Sequence, residues 1–470
     1  MKTRPATLLV PLLAFLALAW VGLARWNVGR SGAYDLGVFS QAAQSWADGR
    51  LPFSAIRGLP LLGEHFSPVT VLWGAAWWVW PDPRSLVVVQ AAALAVAAGI
   101  VHRAARRVLG PGPALVVAGL FTVSYGVVNV ARLDVHEVCF ATPLVAASCA
   151  ALLQRRWTAA LGWSLPLLLV KEDQGPTVVA VAFVVFLLAR GRFRWFAAAT
   201  AVLAVLGTVA AFAVIAWRNP DHVVPLFEIR FDGAPPEPFS WSGDVLPRLE
   251  LPAAVLLTGG VLWVGSPIAL VALPTLAWRL LSPYESYWST RFHYDAVLMP
   301  MVFLALVDVL RRRRRWLPVV VALSLVCAGW SYQRANFVAN PLDADTWRPS
   351  QATRDLLAVS AEIPAGSVVA ADNGAGPYLV ADHTVRVLGN GESVEARWVV
   401  VDTRIDGASA TREGKLALVE QLTGPQRSSV GRIVRIGSVV AVEMPCEGPV
   451  WLPEPAGNPP LPTPAWISCR

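Results

Sequence analysis

Arginine clusters cut this chain into apolar runs of about bilayer-crossing length, and that alternation constrains the fold more than any other feature of the sequence. A spanning helix needs roughly 20 mostly apolar residues. Such runs lie near residues 8–24, 84–101, 113–130, 138–153, 157–170, 176–189, 195–217, 250–264, 266–282, 294–310 and 316–333. Lys2 and Arg4 hold the N-terminus in the cytoplasm by the positive-inside rule, so every second loop is expected to be basic. Arg103, Arg106 and Arg107 follow the second run, Arg155 and Arg156 the fourth, Arg190, Arg192 and Arg194 the sixth, and Arg311 to Arg315 the tenth. Only the tight Gly265–Ser266 turn is a cytoplasmic turn without arginine. The fold class is therefore an all-α polytopic membrane domain of about 11 transmembrane helices over residues 1–339. An odd number of spans puts the tail on the extracytoplasmic side.

Two apolar segments need a decision. The run from Leu8 to Leu23 follows a basic start, as a signal peptide does, but no small-residue cleavage pattern follows it, so it is read as a retained first helix. Phe66 to Trp80 carries Trp73, Trp77, Trp78 and Trp80. If it crossed, the arginines after Val101 would land outside, so it is read as an interfacial or re-entrant helix within a first outer loop, residues 25–83.

Composition agrees with a bilayer solvent: 55% of the 470 residues are hydrophobic and only 15% charged, with a mean hydropathy of +0.51. The net charge of +7 does not mark a nucleic-acid partner, because the basic residues sit between apolar runs, where membrane lipids are the partner. From about Asn340 the chain turns polar, with strand-like runs at Ser367–Ala371, Thr384–Leu388, Arg397–Asp402 and Ile433–Glu443 and helical pattern around Pro349–Glu362 and Glu413–Leu422. Residues 340–470 are expected to form a small extracytoplasmic α/β domain. Cys139, Cys149 and Cys327 fall in apolar runs, whereas Cys446 and Cys469 lie in the tail, where an oxidising compartment can pair them.

The acids and histidines gather on one side of this topology. The first outer loop carries Asp35, then Glu64 and His65; the second Arg132, Asp134, His136 and Glu137; the third Lys171, Glu172 and Asp173; the fifth Arg291, His293, Tyr294 and Asp295. Ionisable groups near bilayer depth are costly and mark either function or internal pairing. Asp35 reads as a turn or capping residue or as a catalytic acid; Lys171, Glu172 and Asp173 read as an ion-pair network or a binding site. The three histidines beside acids read as metal ligands, proton carriers or hydrogen-bonding residues. The guanidinium forks of Arg132 and Arg291 suit phosphate. The long loop from Arg218 to Glu250, with Gly233 to Pro238 at its centre, reads as a lid or a tether. There is no P-loop, G-x-G-x-x-G or G-x-S-x-G, which leaves nucleotide-driven pumps and serine hydrolases without support.

Five ordered motifs carry a resemblance: Tyr34-Asp35-Leu36-Gly37-Val38-Phe39 with Gln41, Leu62 to Pro68 (LGEHFSP), Asp134-Val135-His136-Glu137, Leu169-Val170-Lys171-Glu172-Asp173, and His293-Tyr294. From about residue 30 to residue 440 the chain resembles a bacterial family of predicted multi-spanning membrane proteins of unknown function. That family is similar to the GT-C superfamily of membrane glycosyltransferases. The likeness implies a bacterial cytoplasmic-membrane enzyme that transfers a sugar, with inversion, from a polyprenyl-phosphate-linked donor to a cell-envelope acceptor. It implies Asp35 as general base and Lys171, with Arg132 or Arg291, at the departing phosphate. Glu64, His65, Asp134, His136, Glu137, Glu172, Asp173, His293 and Tyr294 would position the sugar. A divalent cation is the candidate cofactor. A single Asp35 followed by Leu36 departs from the paired acids of better-known members. The rival readings are a lipid or solute transporter, which predicts ionisable residues deep in the spans, and a non-catalytic assembly or sensor protein, which predicts outer-loop charges dispersed at a rim.

Overall fold

The computed structural model describes residues 6–222, 241–389, 394–404, 411–424 and 431–450. The proline-rich stretch 233–238, Lys2, Arg4 and Cys469 lie outside the described residues. The chain packs as two compact units. One comprises Met1–Gly22, Pro60–Thr70 and Val87–Val338; the other comprises Leu23–Leu59, Val71–Leu86 and Ala339–Arg470. Much of the expected first outer loop, 23–59 and 71–86, is thus grouped with the C-terminal segment.

Among the described residues the first unit is built from helices joined by short turns, the architecture expected where no water is present to satisfy backbone groups. Five helices among the described residues are long and apolar enough to cross a membrane: Leu8–Asn27, Pro83–Leu109, Arg192–Arg218, His293–Leu310 and Arg314–Gln333. Pro111–Val123 and Tyr125–Arg132 make a sixth if their 45° bend is one broken span. The other expected runs are helical but shorter, and prolines and glycines account for it. Pro166, Pro176, Pro267 and Pro274 each sit in the first two positions of a helical segment, so the 157–189 and 266–282 runs are assembled from α and 3₁₀ pieces. The 250–264 run stops as an α-helix at Thr258, followed by Gly259 and by Gly260 with φ +61°. A Cβ at Gly260 would come within 2.8 Å of Val320.

Burial separates two kinds of helix. Leu298–Leu310 is buried at every position from Leu298 to Val307, with Phe303 edge-on to Phe121, and forms the centre of this unit. Arg192–Arg218 instead exposes Val202, Leu206 and Val209 by 60% or more, a face suited to lipid. Three of the four arginine clusters meet: Arg107 donates to Gln154 beside Arg155, and Arg314 donates to the Leu109 carbonyl.

The second unit is built on a five-stranded mixed sheet in the order Thr384–Val387, Val368–Ala371, Val394–Asp402, Val439–Val450, Ile433–Ile436. The first three strands run parallel and the last two pairings are antiparallel. The single strand expected over 433–443 is a hairpin folded at Gly437, whose φ of +57° is left-handed. Ser350 and Thr411 cap the helices Gln351–Glu362 and Arg412–Thr423 by accepting from the amides of Thr353 and Gly414. Leu418 and Leu422 of the second helix pack with Val399, Val401, Val440 and Val442 in the core.

Candidate functional site

In the first unit, polar side chains collect where helices break. Lys171 has extended backbone between the 3₁₀ segments Leu165–Leu169 and Glu172–Gln174, so the apolar run is interrupted and three charges enter the fold together. Lys171 Nζ lies 2.5 Å from Glu137 Oε1, with both side chains more than nine-tenths buried. His65 Nδ1 donates to Glu172 Oε1 at 2.8 Å, and the Phe66 amide donates to Glu172 Oε2 at 3.0 Å. The His136 and His293 rings stack with centroids 3.5 Å apart and 16° between planes, and Tyr294 lies against His293. Nε2 of His136 donates to the Leu133 carbonyl at 2.8 Å, which fixes the tautomer of that ring.

The electrostatics follow from burial and partners. Burial works against the Glu137 charge, but Lys171 and His65 outweigh it and hold the carboxyl down at about 2. Burial lifts Asp173 to about 6, opposed by Lys171 and assisted by Glu172. Burial and Lys171 disfavour the His65 cation, yet Glu172 raises it above its ordinary value. Lys171 stays firmly charged: against burial, Glu137, Glu172 and Asp173 push it well up. A pocket of about 10 Å³, the room of a single water, is lined by Lys171, Asp173, Gln174, Thr275 and Tyr294 among others. From Gly175 and Pro274, the chain neighbours of Gln174 and Thr275, an apolar groove of about 540 Å³ continues along Phe183, Val205, Val209 and Leu273.

The remaining candidates of this unit are held nearby or apart. Glu64 is buried after Gly63, whose carbonyl accepts from Asn219. Asp134 is buried with φ 67°, a left-handed conformation that aspartate tolerates. Its carbonyl and that of Val130 accept from Gln90 Nε2, while Gln90 Oε1 accepts from the His136 amide. Arg132 and Arg291 do not line the Lys171 pocket; both line a separate crevice of about 260 Å³ with Arg334 and Glu285. Arg132 is buried and fixed there by donating to Asn129 Oδ1 and to the Arg291 carbonyl. Among the described residues no group of three His, Cys, Asp or Glu side chains is arranged to hold a metal ion.

Asp35 belongs to the second unit. It sits half-buried in a π-helical turn, Ala33–Gly37, a rare conformation that is frequent at functional sites. Asn373, in the turn after the strand Val368–Ala371, fixes this turn: its carbonyl accepts from the Ala33 amide at 2.8 Å and its Oδ1 from the Tyr34 amide at 3.1 Å. Gly376 is required beside it, since a Cβ there would come within 2.8 Å of that of Ala33.

Sequence reasoning missed Gln90, Asn373, Arg334 and Arg279. Arg279 and Asp295 form an ion pair at 2.7 Å with no side-chain exposure. The available signal was a lone polar residue in an apolar run, as Gln90 is in 84–101 and Arg279 in 266–282.

The family model for a predicted membrane protein, DUF2079, matches residues 30–244 and 239–425. The chain belongs to this family. No curated protein matches it in sequence. Among solved structures it is similar to ArnT from Cupriavidus metallidurans in the apo state, at 13% identity and a TM-score of 0.54, over 92% of this chain and 97% of that one. It is also similar to the same protein bound to undecaprenyl phosphate, at 13% identity and a TM-score of 0.52, with the same coverage. At this identity the likeness establishes an ArnT-like fold for this member of the family.

Proposed function

We propose that the protein is an integral membrane glycosyltransferase that moves a sugar from a polyprenyl-phosphate donor to a cell-envelope acceptor on the extracytoplasmic face. The observation that carries this reading is the buried Lys171–Glu137 and His65–Glu172 cluster beside an apolar groove, in a fold like that of a protein solved with undecaprenyl phosphate. Lys171 takes the donor phosphate and the groove takes the polyprenyl chain. As the acceptor oxygen bonds to the anomeric carbon, the bond from that carbon to phosphate oxygen breaks and the electron pair leaves with the phosphate. Negative charge therefore grows where a buried ammonium counts most. His65, His136, His293 and Tyr294 position the sugar, with Glu64, Asp134, Glu137, Glu172 and Asp173 as hydrogen-bonding partners.

Asp35 as the base that removes the acceptor proton is a separate assignment, supported by the family resemblance and by its π-helical setting within its own unit. About eleven crossings, with a cytoplasmic N-terminus and an outer C-terminal domain, complete the reading. Its supports are three of the four arginine clusters brought together and the disulfide-bonded Cys446, a bond typical of oxidising compartments. A dispersed rim of charges would favour an assembly or sensor protein, whereas these charges pair with one another in the interior.

The test is binding of undecaprenyl phosphate to the protein in nanodiscs. Lys171→Ala is expected to weaken it tenfold or more, and Asp35→Asn to leave binding intact while abolishing transfer. Binding no better than to a control membrane protein would overturn the donor reading; full transfer by a folded Asp35→Asn protein would overturn the base assignment.

A further inference from the structure

The crevice lined by Arg132, Arg291 and Arg334 has no part in the reaction just proposed. None of its lining residues lines the Lys171 pocket, and its volume, about 260 Å³, is far larger. Its walls come from the end of Tyr125–Arg132, from the 285–292 segment and from the residues just after Leu317–Gln333. Three arginines and one acid, Glu285, line it, and with Glu250 paired to Arg334 one net positive charge remains at the crevice.

Each arginine is held differently. Arg132 is pinned by Asn129 and by the Arg291 carbonyl. Arg334 lies over the Trp330 ring and gives one nitrogen to Glu250, 2.8 Å away, leaving further N–H groups on its fork. The Arg291 guanidinium is exposed, and among the described residues no side chain or carbonyl pairs with it. Ser286 and Ser289 add hydroxyls to the lining.

We infer that this crevice binds a phosphate group, separately from the Lys171 centre. A carboxylate is saturated by one bidentate arginine, whereas a phosphate ester offers three oxygens and a charge of up to minus two, which three planar forks around one crevice match. The phosphate is either that of a lipid headgroup or a free or soluble one; both present the same oxygens.

Arg291→Gln/Arg334→Gln tests this, since the first side chain is exposed and the second is about a third exposed. In phosphatidylcholine nanodiscs, inorganic phosphate binding is followed by phosphorus NMR, and retention of phosphatidic acid in nanodiscs containing it is followed by native mass spectrometry. The double variant is expected to melt as wild type does and to weaken one or both by tenfold or more. Lys171→Gln, at the centre proposed for the donor phosphate, is the comparison and is expected to weaken both probes clearly less than the double variant does. Loss of inorganic phosphate alone identifies a soluble ligand, and loss of phosphatidic acid alone a lipid. Unchanged binding of both probes in a folded double variant would overturn the inference, as would an equal loss in Lys171→Gln.

Discussion

Two of the three lysines in this arginine-rich chain are buried against a carboxylate, one in each unit, and their surroundings differ sharply. Lys415 lies 3.1 Å from Asp372 and donates to the Asp402 carbonyl at 3.0 Å; Asp372 in turn accepts from the amides of Gly374 and Asp402. The Asp372 carboxylate is thus held by backbone amides, and the set ties the strands Val368–Ala371 and Val394–Asp402 to the helix Arg412–Thr423. Lys171 shares its interior with His65, Glu137, Glu172 and Asp173, which change protonation, and it borders a water-sized pocket. A buried lysine on its own therefore says little about function. What separates the two is whether the partner carboxylate is held by backbone amides, as Asp372 is, or sits among further titratable side chains that can exchange partners and protons.

That contrast can be broken by experiment. The largest effect is expected from Asp372→Ala, which strands the Lys415 ammonium in the sheet and should cost about 3–5 kcal/mol; a thermal melt of the full-length protein that barely moves would refute the structural role. Next comes pH. Burial lifts Asp173 to about 6 from an ordinary 3.8, so its contribution to stability is complete below 3.8 and is lost as pH rises through 6. The raised His65 adds in the same direction, losing its contribution as pH climbs above its ordinary 6.5. The protein should be more stable at pH 5 than at pH 7.5, with about 1.4 kcal/mol of the difference coming from Asp173, and Asp173→Asn should remove that share of the slope. An unchanged slope in the variant would place the titration elsewhere.

The third effect has the opposite sign from a deletion. Glu137→Gln takes the counter-ion from Lys171 and should tighten undecaprenyl-phosphate binding up to tenfold, about 1.4 kcal/mol; weaker binding would mean that Glu137 itself contacts the ligand. The smallest belongs to Asn373→Ala, which removes the side-chain bond to the Tyr34 amide and should cost about 1 kcal/mol. Faster hydrogen exchange at the Tyr34 amide would register it; an unchanged rate would show that the π turn holds itself.

How far the sequence could be read depended on the range of each signal. Periodicity and breakers are local, so the apolar runs, the helix from Gln351 and most of the C-terminal strands were legible. The hairpin at Gly437 was not, because one apolar stretch hides a two-residue turn. Topology alone brought His65, Glu137, Lys171 and His293 to one side, and the structure pairs or stacks each of them with another of the candidates. Topology could not tell which way side chains leave a loop. Arg132 and Glu137 are five residues apart, yet the first lines one cavity while the second pairs with the lysine of another. Gln90 and Asn373 escaped because their partners lie 40 to 46 residues away for the first and 339 for the second.

The two short segments that join these cavities set a thermodynamic rule between them. Arg132 to Glu137 and Arg291 to Tyr294 each have one end in the arginine crevice and the other at the lysine centre, and the stacked rings of His136 and His293 clasp the segments together midway. A ligand that shifts either segment alters both cavities. By linkage, whatever factor an occupant of the crevice applies to affinity at Lys171, an occupant at Lys171 must return to the crevice.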